Sequence, residues 1–145
     1  MLEFSRDNFY RYEPNAVSVL LIDKNGALSG AAMKQLNYRL PEVYDALKRR
    51  LQKLGDKVQV GSIIKIDKFY FIVARENYHK TWNSNAFKQA WLAASPKILG
   101  NYTVVFDNED YEWIVDILQE NEYPHNRIKI CNHCQFGDDW SENEN

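Results

Sequence analysis

The stretch that decides the fold is Ala16-Val17-Ser18-Val19-Leu20-Leu21-Ile22-Asp23-Lys24-Asn25-Gly26-Ala27-Leu28-Ser29-Gly30-Ala31-Ala32. Its first seven residues form an apolar run of strand length. A strand that is apolar on both sides of its pleat belongs in the middle of a sheet covered on both faces. Asp23-Lys24-Asn25-Gly26 breaks the run, and small residues then lead into a helix from Ala31 to about Tyr38. A buried strand that turns through small residues into a helix is a unit of layered α/β architecture.

Downstream, Pro41 suits a first helical position and Glu42 the positive end of the helix dipole. Val43, Leu47, Leu51 and Leu54 mark one stripe of that helix, and Gly55 ends it. Val58 to Ile66 and Phe69 to Ala74 read as two strands joined at Asp67-Lys68. Arg75 to Trp82 is a polar and aromatic loop. Asn83 or Ser84 caps a helix that turns Phe87, Ala90, Trp91 and Ala94 inward, with Pro96 disrupting its end. Tyr102 to Phe106 is a strand, and Asp107 or Asn108 caps a helix with Tyr111, Ile114, Ile117 and Leu118 inward. Arg127 to Cys131 is a last strand.

Upstream, Leu2 to Phe9 alternates loosely, as an edge strand does, and Glu13-Pro14-Asn15 is a turn. The elements therefore run strand, strand, helix, helix, two strands, helix, strand, helix, strand. That order predicts a three-layer α/β/α sandwich with a mixed central sheet. In such sheets ligands bind beyond the carboxyl ends of the strands.

Composition limits the classes open to the chain. At 145 residues, 45% hydrophobic and 26% charged, it suits one globular domain, expected over 1–136 with an acidic, frayed tail over 137–145. A net charge of −2, with no basic run longer than Lys48-Arg49-Arg50, argues against nucleic acid as a partner. No apolar run approaches the ~20 residues of a membrane span, and the polar start is unlike a signal peptide. Two cysteines form no disulfide framework, so a reducing, cytoplasmic setting is expected.

Four places carry possible chemistry. The turn from Asn25 to Ala32 could offer backbone amides to a phosphate, or serve only as a tight connection. In Asn77-Tyr78-His79-Lys80-Thr81-Trp82, His79 suits a general base and Tyr78 or Trp82 a stacking platform; the alternative is a loop anchored by its own rings. Cys131-Asn132-His133-Cys134, with His125 upstream, falls short of a closed four-ligand zinc site, because His133 lies inside the pair. No metal and no cofactor are expected. Asp107, Glu109, Asp110 and Glu112 suit the first turn of a helix, with no partner ligands evident for a metal.

Ala27 to Glu42, with Arg39-Leu40-Pro41-Glu42 opening the second helix, resembles the loop-and-helix segment of macrodomains, in the subgroup that removes ADP-ribose or phosphate from ADP-ribose derivatives. Met1 to Phe9 is similar to the family's opening, with Asn8-Phe9 in place of Asp-Ile. The likeness continues through Gly61-Ser62-Ile63-Ile64 and extends to Glu76–Trp82, covering about residues 1 to 95.

The resemblance implies a macrodomain-like fold that binds an ADP-ribose-type nucleotide at Asn8, Asn25, Gly26, Leu28, Ser29, Gly30, Ala31, Tyr78 and Trp82. In the family an acid at the position of Asn8 recognises the adenine amino group. Asn25, Ser29 and His79 are the candidates for positioning water, should there be turnover.

The chain also departs from the pattern. Val19-Leu20-Leu21-Ile22 replaces the strand asparagines that hold the distal ribose. Phe106-Asp107-Asn108-Glu109-Asp110 stands where the family has a second glycine-rich phosphate loop. Binding with weak or absent catalysis is the first expectation. The alternatives are an ADP-ribosyl or ADP-ribose-phosphate hydrolase, and a protein-binding inhibitor or adaptor on a decayed scaffold, of the kind a small viral accessory protein would be.

Overall fold

The computed structural model describes residues 2–8, 16–28, 30–98, 103–107, 112–120 and 127–133. Six strands and four helices follow the expected order: β1 (Leu2–Asn8), β2 (Ala16–Asp23), α1 (Ala31–Arg39), α2 (Pro41–Leu54), β3 (Ile63–Ile66), β4 (Phe69–Arg75), α3 (Ser84–Ile98), β5 (Thr103–Asp107), α4 (Glu112–Glu120) and β6 (Arg127–His133). The strands form one sheet in the order β1-β6-β5-β2-β4-β3. All neighbours are parallel except β3, which pairs antiparallel with β4 at the edge.

The pleat of β2 explains the three layers. Val17, Val19 and Leu21 point to one face and pack with Phe87, Ala90, Trp91 and Ala94 of α3 and Ile114, Ile117 and Leu118 of α4. Leu20 and Ile22 point to the other and pack with Met33 and Leu36 of α1 and Val43, Leu47 and Leu51 of α2. β4 divides likewise, with Phe71 and Val73 on the α1–α2 side and Ile72 and Ala74 on the α3–α4 side. Period-two alternation with both phases apolar is what a doubly covered sheet requires.

Three expectations change. β3 is limited to Ile63–Ile66, because the chain before it turns at Gly61, whose φ is 104°. Val58 is buried as a core plug ahead of that turn, which is why it reads as part of a strand. Helix α3 runs on past Pro96 to Ile98. The proline deprives the Leu92 carbonyl of its helical donor, but Leu92 and Pro96 lie on the exposed side, where water can bond that carbonyl. β6 extends to His133, so Cys131 lies within the strand. The 137–145 tail, Tyr111, His125 and Cys134 lie outside the described residues. Among the described residues no helix is long and apolar enough to cross a membrane.

Candidate functional site

The carboxyl edge of the sheet is stepped. Val19 pairs with Phe106, so Leu20 stands level with Asp107, where β5 ends. β2 continues through Leu21, Ile22 and Asp23, a rise of ~10 Å at about 3.3 Å per residue. On the other side Asp107 pairs with Cys131, and β6 continues to His133. The strand β5 thus ends lower than either neighbouring strand. Asn8, at the end of β1, pairs with His133 at the far side of this edge; its side chain lies outside what is described.

The bend after β2 is held from within. Asp23 is 2% exposed. Its Oδ1 accepts the amides of Asn25 at 2.8 Å and Ala27 at 3.2 Å, and its carbonyl accepts the amide of Gly26 at 3.1 Å. This is the turn a short acid makes when it bonds backbone two residues on. Two side chains of α2 complete it: Tyr44 donates its hydroxyl to the Gly26 carbonyl at 2.9 Å, and Lys48 donates Nζ to the Asn25 carbonyl at 2.6 Å. Burial first, then the carboxylates of Asp23 and Asp45, hold the Tyr44 phenol above its ordinary value.

Gly26 is required here for two reasons. Its φ is 65°, and a Cβ would lie 2.9 Å from Leu51 Cδ1. The amides of residues 25 to 27 are therefore spent inside the protein. Leu28 is 39% exposed and Ser29 lies outside the described residues. Gly30 caps α1 in extended backbone with no side-chain bond, and the first turn of α1 holds no acid. The positive end of α1 is left without an acidic side chain of its own.

The loop after β4 is built from side chains. Asn77 Oδ1 accepts the amide of His79 at 2.9 Å, and its carbonyl accepts that of Lys80 at 3.1 Å. The rings of Tyr78 and His79 lie together, centroids 3.9 Å apart, and Tyr78 is 55% exposed. The Arg75 guanidinium lies 3.7 Å from the Trp82 ring centroid and donates to the Lys80 carbonyl. Trp82 is half-buried against the α3–α4 core. Asn83 caps α3, its Oδ1 accepting the Ala86 amide at 3.0 Å. Lys24 and Glu76, 3.3 Å apart, tie the two loops together.

The candidates therefore separate. Asn25 and Lys48, with Lys24, Gln52 and Asp56, line an open groove of about 440 Å³ against the end of α2. Tyr78, His79 and Trp82 belong to the neighbouring loop. Among the described residues no group of three His, Cys, Asp or Glu could hold a metal.

The sequence matches no protein-family model and no curated protein. Solved structures do match. The macrodomain of Thermus aquaticus DarG aligns with a TM-score of 0.68 at 14% identity, over 92% of this chain and 99% of that one. The macrodomain of Mycobacterium tuberculosis DarG gives 0.70 at 14%, over 92% and 98%.

This chain has a macrodomain fold.

Thermosipho africanus DarTG, solved in complex with ADP-ribose, aligns with a TM-score of 0.63 at 11% identity, over 89% of this chain and 41% of that one. At such identities what is shared is the macrodomain fold. Sequence reading missed Asp23, Tyr44 and Lys48, which shape the bend after β2. A signal was present: an acid three residues before a glycine, and two polar residues one helical turn apart on α2.

Proposed function

We propose that the chain binds ADP-ribose, or a nucleotide built like it, across the carboxyl edge of its sheet, with weak or absent turnover. The observation that carries this reading is the ADP-ribose complex of the Thermosipho neighbour, 41% of whose chain aligns with this fold. The adenine goes toward Asn8, as the resemblance implies.

The diphosphate goes to the start of α1, where Leu28, Gly30 and Ala31 bring backbone without bulk at Gly30. A helix start carries about half a positive charge, and α1 has no acid in its first turn to offset a phosphate. Tyr78 gives an exposed ring at the rim. Weak turnover is supported by the separation of Asn25 and His79 onto different loops. Among the described residues, neither forms a bond between side chains that would prepare a nucleophile.

Calorimetric titration with ADP-ribose tests the reading. Gly30 has φ −145°, extended backbone that any residue adopts, so Gly30→Glu brings no backbone strain while setting a carboxylate at the phosphate position. We expect it to weaken binding about tenfold or more through like-charge repulsion. Wild-type protein giving neither heat nor a thermal shift at roughly millimolar ADP-ribose, the weak end of measurable affinity, would reject the reading.

A further inference from the structure

The second half of α2 carries a charge imbalance that the fold does not use. Residues 48–57 hold the cations Lys48, Arg49, Arg50, Lys53 and Lys57 against a single acid, Asp56, in a chain with 18 cations and 20 acids in all. Lys48 is committed to the Asn25 carbonyl. Arg49, Arg50, Lys53 and Lys57 are exposed and, among the described residues, form no ion pair. The helix dipole accounts for cations only in the last turn, where Lys53 stands. Arg49 and Arg50 lie before it. Like charges three and four apart on a helix repel, as these two do with Lys53, and an anion laid across them relieves that repulsion.

A groove of about 440 Å³ runs beside the cluster, between the end of α2 and the bend after β2. Leu51 and Val58 line it from the core, and Lys24, Gln52 and Asp56 line it from the surface. A Cβ added at Gly55 would meet nothing within 4 Å, so the groove is open at that end.

The surroundings select which polyanion fits. None of residues 48–57 is aromatic, so the bases of a nucleic acid find no platform, and Asp56 would face the phosphates of a continuous strand. An anionic bilayer calls for exposed apolar side chains beside the cations. Here Leu51 and Val58 are buried and Leu54 packs against the core. An acidic peptide meets each condition. Its carboxylates suit the guanidinium forks of Arg49 and Arg50, its backbone gives the Gln52 amide a partner, and a neutral residue can lie opposite Asp56. The spacing agrees. Arg49 and Lys53 are ~6 Å apart along the helix axis, and an extended chain repeats its side chains on one face every ~6.7 Å.

We infer that the basic half of α2 and the groove beside it form a docking surface for an extended acidic peptide segment of a partner protein, with carboxylates at alternate positions. Arg49, Arg50 and Lys53 take the carboxylates, and Gln52 holds the peptide backbone. This surface does not depend on the nucleotide reading.

The test is fluorescence anisotropy at low salt with a labelled peptide of about eight residues, alternating glutamate and serine. Wild type is expected to bind it with a Kd below about 1 mM and to lose affinity as salt rises. Arg49→Glu is expected to weaken binding about tenfold or more. Lys65→Glu, the same reversal at an exposed lysine of β3, should change it less than about threefold. Arg49→Gln, which removes the charge without adding an acid to the helix, should fall between the two. Thermal unfolding of each variant checks that it is folded.

Three results would each overturn the inference. One is no peptide binding at about 1 mM. Another is an equal loss in Arg49→Glu and Lys65→Glu. The last is tighter binding of an oligothymidylate of like charge, or of phosphatidylserine vesicles, than of the peptide. None of them bears on ADP-ribose binding, which its own titration decides.

Discussion

Two loops rise from adjacent parallel strands at the same edge of the sheet, and they are built on opposite plans. The bend after β2 turns its polar backbone inward, onto Asp23, Tyr44 and Lys48, and shows the surface an exposed leucine and a helix start. The loop after β4 spends fewer bonds on its backbone and shows the surface rings and charges, with Tyr78 and His79 together at its tip. One loop is a shaped main chain and the other a set of side chains. On this contrast, tolerance to substitution should follow where a loop's hydrogen bonds go.

The largest effect should come from Gly26→Ala. It forces a side chain into positive φ and against Leu51, and should cost about 2–4 kcal/mol. Urea unfolding with an unchanged m-value would check it; a shift under about 1 kcal/mol would mean the bend is not held as described.

Tyr44→Phe should cost about 1 kcal/mol by removing one hydrogen bond to a buried carbonyl. It also has a pH signature. The phenol's folded value is raised above 10.0, so the unfolded chain loses this proton first. Its contribution is whole below pH 10.0 and fades as pH rises through the folded value. Stability of wild type should fall on that alkaline limb, and the Phe variant should fall less.

Tyr78→Ala marks the other plan. The ring is exposed, so stability should stay within about 0.5 kcal/mol, and any loss of ADP-ribose affinity then reads as a lost contact. A large loss of stability would erase the contrast between the loops.

The order of elements was legible because the apolar periods are clean. Val43, Leu47 and Leu51 are spaced for a helix and are all buried, and so are Phe87, Ala90, Trp91 and Ala94. β2 announced its central place by being apolar in both phases of the pleat. The site was legible only as a region. Asp23 reads as the residue that breaks a strand; that its carboxylate folds back on residues 25 and 27 depends on tertiary burial. Tyr44 and Lys48 sit beside the apolar stripe of α2, and their carbonyl partners lie more than fifteen residues away, beyond any local pattern. In the sequence Trp82 suits a stacking platform or an anchor of its own loop, and it lies under the Arg75 guanidinium and against the core. Composition cannot distinguish a ring that waits for a ligand from one already covered.

Pro96 sets a boundary on assembly geometry. By leaving the Leu92 carbonyl without a helical donor, it makes the outer flank of α3 a surface that must stay wet. A subunit that docked there would strand an oxygen in a dry contact, at a cost of about 1–3 kcal/mol, unless it brought its own N–H or O–H. Self-association is therefore steered away from that flank.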